Sequence, residues 1–298
     1  MFRATLGGRH ASLTPQVGVV LMGKQDLPLT HIRPGQSVGI FDVVQIWKYR
    51  SLLSQMVRRQ LAVRITASPL NLLWGFIRPG IMTLAFFYLR HLTDANFGQT
   101  VPYAVYIFSG FCLWFLFADI VVQIATSLAS DAAVIQRVYY PRILGPLAIL
   151  ISRMVDIGII LLAIFILQLF MGVWPSMQFY WLPLAALTLL GLAFGLGTIF
   201  ASLMLFHADS RKVLDIMLYL GLFVSPVLFD RSVLPAQIQE YYAYNPMVGM
   251  LGAVRGSLFA PSPIDFHAWE ISGIAAGALV LLGLLFLSRA ARVVGERV

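Results

Sequence analysis

The stretch PYAVYIFSGFCLWFLFADIVVQIATSL, residues 102–128, decides the fold class of this chain. Asp119 is the one formally charged residue of this stretch. The stretch is longer than the roughly 20 apolar residues that an α-helix needs to cross a bilayer. A segment this long and this apolar predicts a transmembrane helix, because helices in soluble domains are interrupted by polar positions on one face.

Five further apolar windows of similar character lie on either side of this segment, at residues 70–89, 143–171, 181–206, 213–229 and 271–288. The composition agrees, since 59% of the 298 residues are hydrophobic and 11% are charged. Soluble domains carry about 25% charged residues, so a soluble enzyme and a disordered chain are excluded. The single cysteine, Cys112, excludes an intramolecular disulfide scaffold. The sequence predicts an all-α polytopic membrane protein with six transmembrane helices.

Positive charge predicts how these helices are oriented. The net charge is +8, and sixteen of the 21 Lys and Arg residues fall in four segments on one side of the predicted membrane: 1–69, 129–142, 207–212 and 289–298. Cytoplasmic loops of membrane proteins are enriched in Lys and Arg, so both termini are expected to be cytoplasmic. This orientation accounts for the basic charge, and nucleic acid is not an expected partner. Residues 1–13 lack an apolar core, so no secretory signal peptide is expected.

The N-terminal part divides into residues 1–41, expected to be a flexible cytosolic extension, and a transmembrane domain at 42–298. An amphipathic helix is predicted at 42–65, with Asp42 as its N-cap. Its apolar face would contain Ile46, Tyr49, Leu53, Met56 and Val57. The opposite face would contain Lys48, Ser51, Gln55, Arg58 and Arg59. Such a helix is typical of the membrane surface, and the alternative is a soluble helix packed on a partner.

Sequence motifs for catalysis are absent. Residues 18–25 resemble a phosphate-binding P-loop, but Gln25 stands where a Ser or Thr would hold Mg²⁺. The five histidines show no paired metal-ligand spacing, and no Gly-x-Ser-x-Gly elbow is present. We therefore expect a protein that moves a substrate, with no metal site and no catalytic residues.

Four charged residues, Arg78, Asp119, Arg153 and Asp156, lie away from the ends of the predicted spans, where charge is costly and marks function by default. Arg153 and Asp156 are three residues apart, which places them on one helical face as a predicted pair. Arg78 and Asp119 are expected at similar depth on neighbouring spans, and structural pairing is the simpler interpretation. An ion relay, the alternative, would need acidic groups distributed across the membrane, whereas these charges lie mostly in its cytoplasmic half.

Aromatic residues crowd the second predicted span. Tyr103, Tyr106, Trp114 and Phe117 fall on one side of the helix. Packing at the lipid interface explains such a stripe as well as a functional role does. The functional interpretation is a surface that lines the path of a sugar chain, to which Trp74 on the first span would add.

Four segments resemble the membrane subunit of type-2 ABC exporters that carry polysaccharides, and the resemblance covers residues 45–288. The most specific is VIQRVYYPRILGPLA at 134–148. The others are WKYR at 47–50 followed by Arg58, Arg59 and Arg64; Leu73 and Trp74 followed by Pro79; and SPVLF at 225–229 followed by Asn245, Pro246 and Arg255. The segments occur in the family's order and on its topology.

The resemblance implies a homodimer of this chain with two copies of a separate ATPase. ATP and Mg²⁺ would then bind the ATPase, and this chain would bind no cofactor. Residues 131–140 would be a short cytosolic coupling helix, with contacts from Asp131, Arg137, Tyr139, Tyr140, Pro141 and Arg142. The amphipathic helix would lie at the same interface through Trp47, Arg50, Arg58 and Arg59. Residues 234–259 would form re-entrant gate helices on the far side, with Pro226, Asn245, Pro246 and Arg255 in the gate region.

The expected function is therefore ATP-driven export of a lipid-linked polysaccharide across the bacterial inner membrane. The substrate class includes an O-antigen used in lipopolysaccharide biosynthesis, a capsular chain and a teichoic-acid-like polymer. One alternative is a type-2 ABC permease for a drug or a lipid. Another is a membrane acyl- or glycosyltransferase, which would need clustered polar residues at one membrane face.

Overall fold

A computed structural model describes residues 47–67, 70–93, 101–130, 141–207, 209–260 and 262–295; for 65–67, 70–74, 130 and 291–295 it describes the backbone alone. Regular structure in these ranges is helical. We number the α-helices α1 Arg50–Ala67, α2 Leu70–Thr93, α3 Tyr103–Ser130, α4 Leu144–Phe170, α5 Leu182–Met204, α6 Ser210–Val224, α7 Ala236–Tyr242, α8 Pro246–Leu258 and α9 Phe266–Gly295. Short 3₁₀ helices occupy Phe179–Trp181 and Arg231–Val233.

Four segments of the described ranges are long and apolar enough to cross a membrane: Tyr103–Ala129, Leu144–Phe170, Phe179–Met204 and Phe266–Ala290. The first and third are 78% and 67% buried inside the protein, whereas the second and fourth are 33% and 22% buried. Helices α3 and α5 therefore form the centre of the bundle. Helices α4 and α9 lie at its periphery, with more surface left for lipid.

The other two predicted spans differ from these four. Helix α2 contains 24 residues but carries Arg78, Pro79 and Arg90. Helix α6 contains 15 residues, or about 22 Å at 1.5 Å per residue. The apolar window at 213–229 is longer than this helix because Ser225 is extended before Pro226. The count of six transmembrane helices stays a prediction.

Helices α5 and α9 pack closely because small residues lie between them. A Cβ added to Gly195 would overlap the backbone of Leu279. A Cβ added to Gly283 would overlap the hydroxyl of Thr198. Close helix contact through small residues is a common way to associate helices in lipid, where apolar surface alone gives little driving force.

Helix α1 has the two faces that its sequence predicts. Tyr49, just before it, and Leu53, Met56 and Val57 within it are half-buried. The opposite positions, Lys48, Ser51, Gln55, Arg58 and Arg59, are exposed. The described helix begins at Arg50. The predicted cap Asp42 and the predicted face residue Ile46 lie outside the described residues, as does the predicted extension at 1–41.

The connection from α4 to α5 is tied to the end of α8. Gly172 reverses the chain with a φ of 74°, a conformation that suits glycine. The carbonyl of Trp174 then accepts from the amide of Ala260 at 3.1 Å, and the amide of Ser176 donates to Leu258 at 3.2 Å. These bonds hold the segment after α8 against the connection that precedes α5.

Candidate functional site

Charged side chains of α1 and α4 meet a polar side chain of α3 in the space between these three helices. Arg153 Nη1 donates to Asp156 Oδ2 at 2.8 Å, which confirms the pair predicted within α4. Arg64, in the last turn of α1, also forms an ion pair with Asp156. Arg153 Nε donates to the side-chain oxygen of Gln123 on α3 at 3.1 Å. One carboxylate therefore links the amphipathic helix to α4, and Arg153 extends the network to α3.

Burial makes this network energetically important. The side chains of Arg64, Arg153 and Asp156 are 21%, 5% and 14% exposed. A buried charge without its partner destabilises a protein strongly, because its hydration is lost without replacement. The network therefore fixes how α1 lies against the bundle.

Arg78 and Asp119 line the same cavity but are not joined to one another. The guanidinium of Arg78 lies 4.1 Å from the centre of the Phe115 ring, one turn before Asp119 on α3. Both side chains are described, and both residues are exposed. No ion pair joins them among the described residues. The predicted similarity in depth is retained, since both residues line one cavity of about 610 Å³ between α1, α2, α3 and α4. The direct pairing predicted for them is replaced by a cation–π contact.

A second polar site surrounds Arg255 of α8, which is 6% exposed. Its guanidinium donates to the carbonyls of Pro226 at 2.6 Å, Tyr106 at 3.0 Å and Val227 at 3.4 Å. Its Nε donates to the hydroxyl of Ser109 at 3.3 Å. The guanidinium carbon lies 3.6 Å from the centre of the Tyr106 ring. Arg255 thus joins α8, α3 and the segment after α6.

The segment that follows α6 is held from two further sides. The Tyr106 hydroxyl donates to the carbonyl of Phe229 at 3.1 Å. The Asn245 amide donates to the carbonyl of Val224 at 3.2 Å, while its oxygen accepts from the amide of Met247 at 3.0 Å and caps α8. Pro246 begins α8, where its missing N–H does no harm. The four residues predicted for the gate region, Pro226, Asn245, Pro246 and Arg255, are therefore brought together.

Sequence reasoning missed the α3 residues that receive Arg255. Ser109 and Gly110 form a small pair inside a run of aromatic residues, and a Cβ on Gly110 would overlap the Arg255 guanidinium. A small pair in such a run is the signal that could have indicated a large side chain arriving from another helix. Tyr242 of α7 stacks on Phe229 with ring centres 6.2 Å apart, and burial raises the pKa of its phenol.

The aromatic stripe of α3 lies inside the protein, which corrects its predicted role as a sugar-lining surface. Tyr103, Tyr106, Trp114 and Phe117 are 3%, 5%, 4% and 5% exposed. The guanidinium carbon of Arg90 lies 4.7 Å from the centre of the Tyr103 ring, and Arg255 covers the Tyr106 ring. The ring centres of Trp114 and Phe117 are 5.7 Å apart. Periodicity identified one face of the helix correctly, but that face is directed at neighbouring helices. The side chain of Trp74 lies outside those that the structure describes.

The predicted coupling contacts fall mostly outside the described residues, which omit Asp131, Arg137, Tyr139 and Tyr140. Pro141 is buried, and Arg142 donates to the carbonyl of Ala290 in α9 at 3.2 Å. Trp47 is 68% exposed with Arg50 5.2 Å from its ring centre, and Arg58 and Arg59 are exposed. The exposed side of α1 is therefore basic, and an exposed aromatic residue, Trp47, precedes the helix.

Four apolar helices of spanning length and two buried polar sites between helices define a multi-pass membrane protein. The sequence profile of the ABC-2 type transporter family matches residues 51–259, more than half of the chain. The chain belongs to the ABC-2 type transporter family.

Its relatives include permeases named for polysaccharides. The chain is 23% identical over 239 residues to the O-antigen export system permease protein RfbA of Klebsiella pneumoniae. This alignment covers 80% of the chain and 91% of that protein. It is 23% identical over 247 residues to the capsule polysaccharide export inner-membrane protein CtrC of Neisseria meningitidis serogroup B, with coverage of 80% and 91%. It is 25% identical over 207 residues to the polysialic acid transport protein KpsM of Escherichia coli, with coverage of 66% and 77%.

Proposed function

We propose that this chain is the transmembrane subunit of an ATP-driven exporter that moves a lipid-linked polysaccharide across the bacterial inner membrane. The observation that carries the proposal is the family match combined with relatives named for O-antigen and capsule export, which align over 80% of the chain. The substrate class is an O-antigen, a capsular chain or a teichoic-acid-like polymer.

Energy for transport comes from two copies of a separate ATPase, which bind ATP and Mg²⁺. Residues 131–142 form the coupling contact, with Arg137 and Tyr140 entering a cleft of the ATPase, since Arg and aromatic residues commonly anchor interfaces. The exposed side of α1, with Trp47, Arg58 and Arg59, lies at the same interface. This placement puts both termini and the extension at 1–41 in the cytoplasm.

The glycan path lies at the junction of two copies of this chain. Aromatic residues exposed on α2 and α6 support this placement, because aromatic faces can stack on sugar rings. Phe87 and Tyr88 of α2 are 50% and 64% exposed, and Tyr219 and Phe223 of α6 are 66% and 45% exposed. Two copies that associate through α2 and α6 would enclose these rings. Helices α7 and α8 form the gate on the far side, with Arg255 holding the segment at 225–229.

Deletion of the gene and complementation by variants test the proposal. Loss of the chain should trap glycan in the cytoplasm, and glycan composition should be unchanged, because synthesis is separate from export. Arg137→Glu and Tyr140→Ala should insert normally yet export little, and the ATPase should co-purify poorly. Arg289→Glu is the control, because Arg289 is an exposed arginine of α9 that lies outside the proposed coupling contact and the proposed junction. Normal surface glycan after deletion would contradict the function, whereas normal export by both coupling variants would contradict the contact alone.

A further inference from the structure

The cavity between α1, α2, α3 and α4 is lined by both polar and apolar side chains. Its volume is about 610 Å³, which falls within the roughly 300–1,000 Å³ typical of small-molecule sites. Its polar lining residues include Arg64, Arg78, Asp119, Gln123, Arg153 and Asp156. Its apolar lining residues include Phe76, Phe115, Leu116, Ile149, Ile159 and Ile160. An amphipathic cavity in a membrane protein matches a ligand that has a charged head and a hydrocarbon tail.

The charges of the cavity are only partly balanced within the protein. Asp156 is engaged by Arg64 and Arg153. Arg78 rests on the Phe115 ring, and no described carboxylate forms an ion pair with it. Three arginines and two aspartates give the lining a formal charge of +1. A group with one negative charge would complete the balance, whereas a diphosphate would exceed it.

We propose that this cavity binds the phosphodiester headgroup of a membrane phospholipid. Arg78 donates to the phosphate oxygens, since guanidinium groups bind phosphate through two parallel N–H donors. Asp119 accepts a hydrogen bond from the hydroxyl or ammonium group that follows the phosphate in the lipid. An acyl chain lies along the isoleucines of α4. This lipid is a resident part of the subunit and is separate from the exported glycan.

Lipid retained by the purified full-length chain tests the site. Native mass spectrometry in mild detergent should find one tightly held phospholipid on the unmodified chain. Arg78→Gln should lower its retention about tenfold, which corresponds to one charge-assisted hydrogen bond. Arg90→Gln is the matched control, because Arg90 also lies on α2 and over an aromatic ring, yet does not line the cavity. Its retention should equal that of the unmodified chain.

A steric variant tests the site without changing its charge. Gly75 lines the cavity, and an added Cβ there meets nothing within 4 Å. Leucine favours helix more than glycine does, so Gly75→Leu is expected to fold while its side chain fills part of the cavity. Gly80→Leu is the control, since Gly80 lies on the same helix with equally open space but outside the cavity lining. Gly75→Leu should lose lipid, and Gly80→Leu should keep it.

Three probes added to delipidated protein distinguish the source of the phosphate. Phosphatidylglycerol should rebind, a polyprenyl diphosphate should bind more weakly, and inorganic phosphate should not compete. Preference for the polyprenyl diphosphate would overturn the phospholipid assignment and give the cavity to the transport substrate. Competition by inorganic phosphate would overturn the need for a lipid. Equal lipid retention by the unmodified chain, Arg78→Gln and Gly75→Leu would overturn the site itself.

Discussion

Two buried arginines of this protein are stabilised by different groups. Arg153 binds the Asp156 carboxylate and the Gln123 amide, so side chains surround it. Arg255 binds three main-chain carbonyls, the Ser109 hydroxyl and the face of Tyr106. The first arrangement neutralises charge and fastens helices to one another. The second fixes the course of a main-chain segment that has no regular structure of its own.

The largest loss of stability is expected from replacing Arg255, because several buried carbonyls would lose their hydrogen-bond donor at once. Arg255→Ala should lower the free energy of unfolding by about 3 kcal/mol or more. Each carbonyl would remain buried away from water without a hydrogen-bond donor. The measurement is the thermal unfolding midpoint in detergent, together with export in cells. Arg231→Ala is the control, because its ion pair with Asp265 is more exposed and such pairs contribute under about 1 kcal/mol.

Arg255→Lys keeps the positive charge and removes the planar guanidinium group. Lysine presents one ammonium group, so it reaches fewer of the carbonyls that the guanidinium joins. The variant should therefore behave more like Arg255→Ala than like the unmodified chain. A stable and active lysine variant would show that positive charge, rather than the geometry of the main chain, is what this region requires.

A somewhat smaller effect is expected at Asp156, where the partners retain some contact with water. Asp156→Asn should destabilise the protein by about 2–3 kcal/mol, because Arg153 is left buried without a carboxylate. Removing Arg64 as well, by Arg64→Gln, should recover part of this loss by relieving the repulsion between the two arginines. The measurement is chemical unfolding of the two single variants and the double variant.

Asp215→Asn provides the matched control for Asp156→Asn. Asp215 pairs with Arg211 at 3.1 Å, but their side chains are 53% and 44% exposed. Its replacement should change stability by about 0.5 kcal/mol or less. Equal effects at Asp156 and Asp215 would contradict the conclusion that the network between α1 and α4 is structurally important.

The two regions also differ in how far sequence could predict them. Arg153 and Asp156 share one helical face at a spacing of three, so the sequence predicts their contact directly. Arg64 is 92 residues away from Asp156, and no local pattern connects the two. The Arg255 site depends on main-chain acceptors, which every residue carries, so residue types alone do not identify them. The contact of Arg78 with Phe115 likewise depends on how α2 and α3 are rotated against each other.

Helices were predicted better than the surfaces they present. The windows at 143–171 and 181–206 agree with the described helices to within two residues. The window at 213–229 continues five residues beyond Val224, because hydropathy does not register the extended conformation imposed before Pro226. The stripe on α3 was recognised as one face, yet periodicity does not distinguish a face covered by other helices from one that lines a channel.

A moderate loss of stability is expected from replacing Asn245, whose side chain, like that of Arg255, binds main-chain groups. Asn245→Ala removes the cap of α8 and the bond to Val224, and should cost about 1 kcal/mol. Asn245→Asp retains an oxygen for the cap but loses the donor to Val224, so it separates the two contributions. Thermal unfolding and export should be measured together. An aspartate variant with full stability but reduced export would place the importance of Asn245 in the position of the segment after α6.

The smallest effect concerns Arg78, and it tests whether the network between α1 and α4 extends across the cavity. A double-mutant cycle between Arg78→Gln and Phe115→Leu, in delipidated protein, should give a coupling of about 0.5–1 kcal/mol, the range of exposed cation–π contacts. The cycle between Arg78→Gln and Asp119→Asn should give less, because the two side chains form no ion pair in the structure. A larger coupling to Asp119 than to Phe115 would mean that carboxylates pair every arginine of this region. The contrast between Arg153 and Arg255 would then apply to their whole sites. Carboxylates would stabilise the arginines between α1 and α4, whereas main-chain oxygens stabilise the arginine of α8.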